Sequence, residues 1–187
     1  MECLTELNLS KNQIKDLPKQ IGNMTGLLQL NLENNQVDNI PADIGNLESL
    51  TEINLSNNQI KDLPKQIGNM TGLLQLNLKN NQVENMPRKI GNLTRLEVFN
   101  LENNHIQMMP REIGNMIGLT NLNMKNNQVK ELPRQIGNLK ELGELNLRKN
   151  QIKELPPDLC LLENLGCLDV NENPLNIPKE VLEVEGR

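Results

Sequence analysis

The chain has 187 residues, 36% of them hydrophobic and 1% aromatic, which suffices for one domain but leaves Leu, Ile, Val and Met to build the whole core. Its net charge of −5 comes from 19 basic and 24 acidic residues mixed along the chain, with no Trp or Tyr; without a basic stripe or stacking platform, no nucleic-acid partner is expected. No apolar run approaches the roughly 18 residues of a membrane span, so no membrane insertion is expected, and the opening MECLTELNLS does not read as a secretory leader.

Cys3, Cys160 and Cys167 are odd in number and form no CxxC pair, signalling neither a disulfide framework nor a zinc site. A reducing, cytoplasmic location is expected, although a chain freed of its leader would read alike. Sequons at Asn8, Asn23, Asn54, Asn69 and Asn92 fall on repeat positions and read as by-products of the repeat.

In chain order the same 23-residue unit returns without insertion, spanning 4–26, 27–49, 50–72, 73–95, 96–118, 119–141 and 142–164, with an irregular last unit at 165–187. Each predicted unit opens with a strand. Alternation sends positions 4 and 6 (Leu30 and Leu32 in the second unit) inward and positions 3, 5 and 7 (Gln29, Asn31, Glu33) outward. Position 15 is then proline in seven units (Pro18, Pro41, Pro64, Pro87, Pro110, Pro133, Pro156), and glycine follows four residues later in six (Gly22 to Gly137). Proline suits the first helical residue and glycine the residue after the last, so about one turn of helix or 3₁₀ is predicted between them. A lone unit cannot bury enough apolar surface to offset the ordering of its backbone, so the units must stack.

The unit LxxLxLxxNxIxxLPxxIGNMxx, clearest in LTEINLSNNQIKDLPKQIGNMTG from Leu50 to Gly72, resembles the leucine-rich repeat family in its 23-residue LPxxIGNL type. It is similar to the intracellular Ras-group scaffolds and the spirochaete proteins of that family. The resemblance covers essentially the whole chain and implies an α/β solenoid: one curved horseshoe domain of about eight repeats, with an inner parallel β-sheet and outer short 3₁₀ or α turns. It also implies a protein partner, of unknown identity, on the concave face.

Asparagine recurs at three positions. Asn12, Asn35, Asn58, Asn81, Asn104, Asn127, Asn150 and Asn173 hold position 9, where the chain turns inward and a buried amide can serve backbone donors and acceptors alike; they are expected to form a structural ladder. Position 5 carries Asn8, Asn31, Asn54, Asn77, Asn100, Asn123 and Asn146, closed by Asp169. Stacked about 4.8 Å apart, these amides are expected either to bond to one another or to form a polar track for a partner. Position 8 is asparagine in the middle units and Lys11, Lys149 or Glu172 at the ends.

The units 4–26 and 50–72 differ only at Leu7/Ile53 and Lys11/Asn57, so the first half reads as a copied block and the later units as the place for a specific site. The expected concave site is Val98, Asn100, Glu102, Asn121, Asn123, Lys125, Glu144, Asn146 and Arg148. Phe99 falls on an inward position. Catalysis is not expected, because a lone His105 without a Cys partner, a phosphate loop or metal-spaced ligands offers no general base or nucleophile at neutral pH; no cofactor or metal is expected either. The sequence therefore reads as a protein-interaction scaffold of the kind used in signalling. The alternative is a structural or self-assembling repeat, recombined or engineered, without a dedicated ligand. A homodimer through an uncapped N-terminal coil is a further expectation, as is a C-terminal cap built on Val181, Leu182 and Val184.

Overall fold

The computed structural model describes residues 4–176; the expected cap lies outside them. Eight three-residue strands, β1 (Glu6–Asn8), β2 (Gln29–Asn31), β3 (Glu52–Asn54), β4 (Gln75–Asn77), β5 (Val98–Asn100), β6 (Asn121–Asn123), β7 (Glu144–Asn146) and β8 (Cys167–Asp169), lie side by side in chain order in one parallel, curved sheet. Every strand pairs in the repeat register, as in Leu30 with Ile53 and Leu76 with Phe99. Equal spacing in sequence thus becomes columns of equivalent side chains in space.

Positions 4 and 6 point into the core: Leu30, Leu32, Ile53, Leu55, Leu76 and Leu78 are all buried. Phe99, the largest fully buried side chain, occupies the same column. In the first coil Leu7, Leu9, Ile14 and Met24 are only partly buried, since a coil covers them on one side alone among the described residues.

Seven five-residue 3₁₀ turns, from Lys19–Asn23 to Pro157–Leu161, form the outer wall. Their isoleucines stack inward, from Ile44 to Ile113 without exposure. The turns are as short as expected, but the two punctuating residues act differently. Proline stands one residue before the turn with extended backbone (Pro41, φ −66°, ψ 147°), and its carbonyl accepts the N–H of the residue three further on (Ile44 to Pro41, 3.0 Å). The glycine lies inside the turn, not after it, and no described glycine has positive φ. Its missing Cβ matters sideways: a methyl on Gly91 would run into the backbone carbonyl of Glu112 in the next coil, and the other five meet the same obstacle. Glycine here sets how closely the coils stack.

Position 8 reverses the chain after each strand in the left-handed region, with φ of 54–58° from Lys11 to Glu172. Asparagine tolerates this conformation better than most residues, which accounts for its use in the middle coils.

The concave face as candidate site

Strand ends and turns decide what the concave face presents. At position 9, the Asn81 Nδ2 donates to the carbonyls of Leu78 in its own coil and Leu55 in the preceding one, both at 3.0 Å, while its Oδ1 accepts the N–H of Ile60 at 3.0 Å. The same set repeats at Asn35, Asn58, Asn104, Asn127 and Asn150, all buried. Two of the three bonds cross to the neighbouring coil, so each amide ties a coil to the one before it. Asn12 is exposed and, among the described residues, bonds only within its own coil.

The position-5 asparagines do not form the mutual ladder expected of them. Each Oδ1 accepts the backbone N–H two residues on: Asn31 from Glu33 at 3.0 Å, Asn77 from Lys79 at 3.1 Å, Asn100 from Glu102 at 3.0 Å and Asn146 from Arg148 at 3.0 Å. Since an N–H donor fixes the oxygen there, the atom left toward the open face is the Nδ2 donor. Among the described residues it has no partner in Asn31, Asn77, Asn100 or Asn146, and only long contacts of 3.5 Å to Glu33 and Glu102 in Asn54 and Asn123. The side-chain ladder sits instead at position 8, where Asn80 donates to Asn57, Asn103 to Asn80, and Asn126 to Asn103 at 2.8 Å.

All nine residues of the expected site come together as a grid over β5–β7. Val98, Asn121 and Glu144 pair in register, as do Asn100, Asn123 and Asn146, and Glu102, Lys125 and Arg148 follow each strand. Val98 is half-buried, one apolar side chain in a polar field. The Asn121 Nδ2 donates to Glu144.

Sequence reasoning overlooked two members of this surface. Lys79 reaches Glu102 at 2.9 Å while Lys125 reaches it at 3.4 Å from the other side, so a carboxylate is clamped between lysines of the flanking coils. The alternation Lys79, Glu102, Lys125 at one repeat position was the available signal. Partial burial pushes the Glu102 carboxyl up, but the hydrogen bond and charge of Lys79, reinforced by Lys125, hold it below its ordinary range. The second is Glu172, which takes up Arg148 through Nε at 2.9 Å; that hydrogen bond and the guanidinium charge hold the Glu172 carboxyl down. Among the described residues no three His, Cys, Asp or Glu side chains stand together as metal ligands, and no helix is long and apolar enough to cross a membrane.

A one-sheet parallel solenoid with an open concave face and short outer turns is a repeat architecture typical of protein-interaction modules. Family comparison names it: the pattern described as "Leucine rich repeat" matches residues 2–60 and 49–106, and "Leucine-rich repeat region" matches 98–184. The chain belongs to the leucine-rich repeat family. Among solved structures it is similar to a leucine-rich repeat protein of Leptospira interrogans (32% identity, 98% of this chain and 53% of that one, TM-score 0.73). It is also similar to an internalin of Listeria monocytogenes (30%, 93% and 49%, TM-score 0.83). A third likeness is the ectodomain of a plant membrane receptor kinase from Arabidopsis thaliana, solved in complex with Casparian strip integrity factor 2 (30%, 96% and 26%, TM-score 0.78). The chain spans about half the length of the first two and a quarter of the third. Comparison with curated protein sequences gives no match.

Proposed function

We propose that the chain is a protein-binding scaffold whose concave surface over β5–β7 takes a partner rich in hydrogen-bond acceptors. The observation that carries this reading is the column of position-5 amides, whose oxygens are held by backbone N–H groups and whose NH₂ groups are left facing the open side. Eight strands about 4.8 Å apart give a track roughly 35 Å long, enough for an interface of about 800 Å² per partner. Val98 supplies an apolar contact near its centre. Affinity rests on many modest polar contacts, because the aromatic side chains that usually dominate binding are missing from this face.

Asp169 shows how to test the reading, since its Oδ1 accepts the Asn171 N–H at 3.0 Å just as the asparagines do. The triple variant Asn100→Asp/Asn123→Asp/Asn146→Asp therefore keeps the turns while replacing outward donors by carboxylate oxygens. Partners captured from a native extract by the unmodified chain should be lost by this variant, with melting little changed. The rival reading, a structural repeat without a dedicated ligand, draws on the engagement of Glu102 by Lys79 and Lys125 and of Arg148 by Glu172; it predicts the same captured set from both chains.

A further inference from the structure

The flank leading from the sheet to the outer turns is polar at position 13 in six coils: Asp16, Asn39, Asp62, Asn85, Glu131 and Glu154. In the fifth coil this position is Met108, and it is 66% exposed. Position 14, which faces the core, is Leu or Ile in the other regular coils but Met86 and Met109 in the fourth and fifth. Three methionines thus gather at one junction. A row of parallel backbone bridges runs along this flank from Asp16 through Asn85 and ends at Met108.

The three line a groove of about 470 Å³ together with Arg88, Arg111 and Glu112, a size within the range of ligand sites. Its charge is opposite to that of the chain as a whole. Position 16 is basic in four successive coils, as Lys65, Arg88, Arg111 and Arg134. Glu112, the one carboxylate of the lining, lies 3.4 Å from Arg111; Arg88 has no ion pair among the described residues. The flanking coils carry Asp62 and Glu131 where these two carry Asn85 and Met108, so this junction has no position-13 carboxylate of its own.

We infer that this groove docks an acidic peptide segment carrying an aromatic side chain, on a surface separate from the concave sheet. Thioethers are flexible and polarizable and favour contact with aromatic rings, and guanidinium groups take carboxylates in paired, charge-assisted hydrogen bonds. The chain has no Trp or Tyr, and its single Phe99 is buried, so the ring must come from the partner. The net charge of −5 disfavours acidic segments in general, so the guanidinium groups of this lining are what would hold one here.

The test is titration of the full chain, labelled with ¹³C at its methionine methyls, with a capped peptide Glu-Asp-Phe-Asp-Glu. The Met108 methyl should move upfield under the ring current, with smaller changes at Met86 and Met109. Arg88→Glu/Arg111→Glu should weaken the peptide by tenfold or more. Met108→Glu, which gives the fifth coil the residue of the sixth and leaves the fold intact, should also abolish the response of Met109. The inference is overturned by groove methyls that stay still at millimolar peptide, by equal binding of the Lys-for-acid peptide, or by changes confined to the amides of β5–β7. Shifts that depend on protein concentration without peptide would assign the groove to a second copy and overturn it equally.

Discussion

In the third to sixth coils asparagine does three jobs, one at each of three repeat positions. At position 9 the amide is buried and fully used; at position 5 its oxygen is used and its nitrogen is not; at position 8 it supports a positive φ and bonds to its equivalents. Replacing Asn81 by Leu strands the Ile60 N–H and two carbonyls, and should cost about 3 kcal/mol in urea unfolding. The same change at Asn12, exposed and bonded within its own coil, should cost under about 1 kcal/mol. The repeat spacing assigned position 9 a structural role, left position 5 open between a ladder and a polar track, and gave position 8 none. The role of position 8 rests on a backbone angle that Lys11, Lys149 and Glu172 share without looking like turn residues.

For the coil as an element, the outer turn and the inner charges set neighbour spacing. Gly91→Ala would push a methyl against the Glu112 carbonyl and should destabilise by about 1–3 kcal/mol, as overpacking does elsewhere, visible as a lower urea midpoint. The glycines were legible as a constraint, but their reason was not: a one-coil reading shows a helix end, while the obstacle belongs to the following coil. On the inner side, the Lys79–Glu102–Lys125 clamp has a definite pH signature. Because Glu102 titrates lower in the folded chain, its stabilisation is fully present above the ordinary carboxylate pKa of about 4.3 and is lost as pH falls through the depressed value. Unmodified chain and Lys79→Ala/Lys125→Ala should differ by up to about 1 kcal/mol near pH 7. Their unfolding curves should converge as pH falls through the lowered value, where Glu102 protonates in the folded chain as well, and high salt should narrow the gap.

Across the whole molecule, the 23-residue period gave strands, turns and core columns directly, since a solenoid is built from contacts between equivalent positions and the repeat states that equivalence outright. Surface chemistry was less legible. The grid from Val98 to Arg148 follows from the register, but which of its atoms are already engaged depends on Lys79 and Glu172, which enter from coils outside it. The methionine groove was less legible too, because composition counts Met among the core-building residues whereas Met108 is exposed.

The claim that the concave face over β5–β7 holds the partner is tested most directly by comparing two matched triple variants in one capture experiment. Asn100→Asp/Asn123→Asp/Asn146→Asp and Asn31→Asp/Asn54→Asp/Asn77→Asp make the same chemical change, the second on β2–β4. Loss of the captured partner in the first with retention in the second is the expected result; equal retention in both, or loss in the second alone, would contradict it.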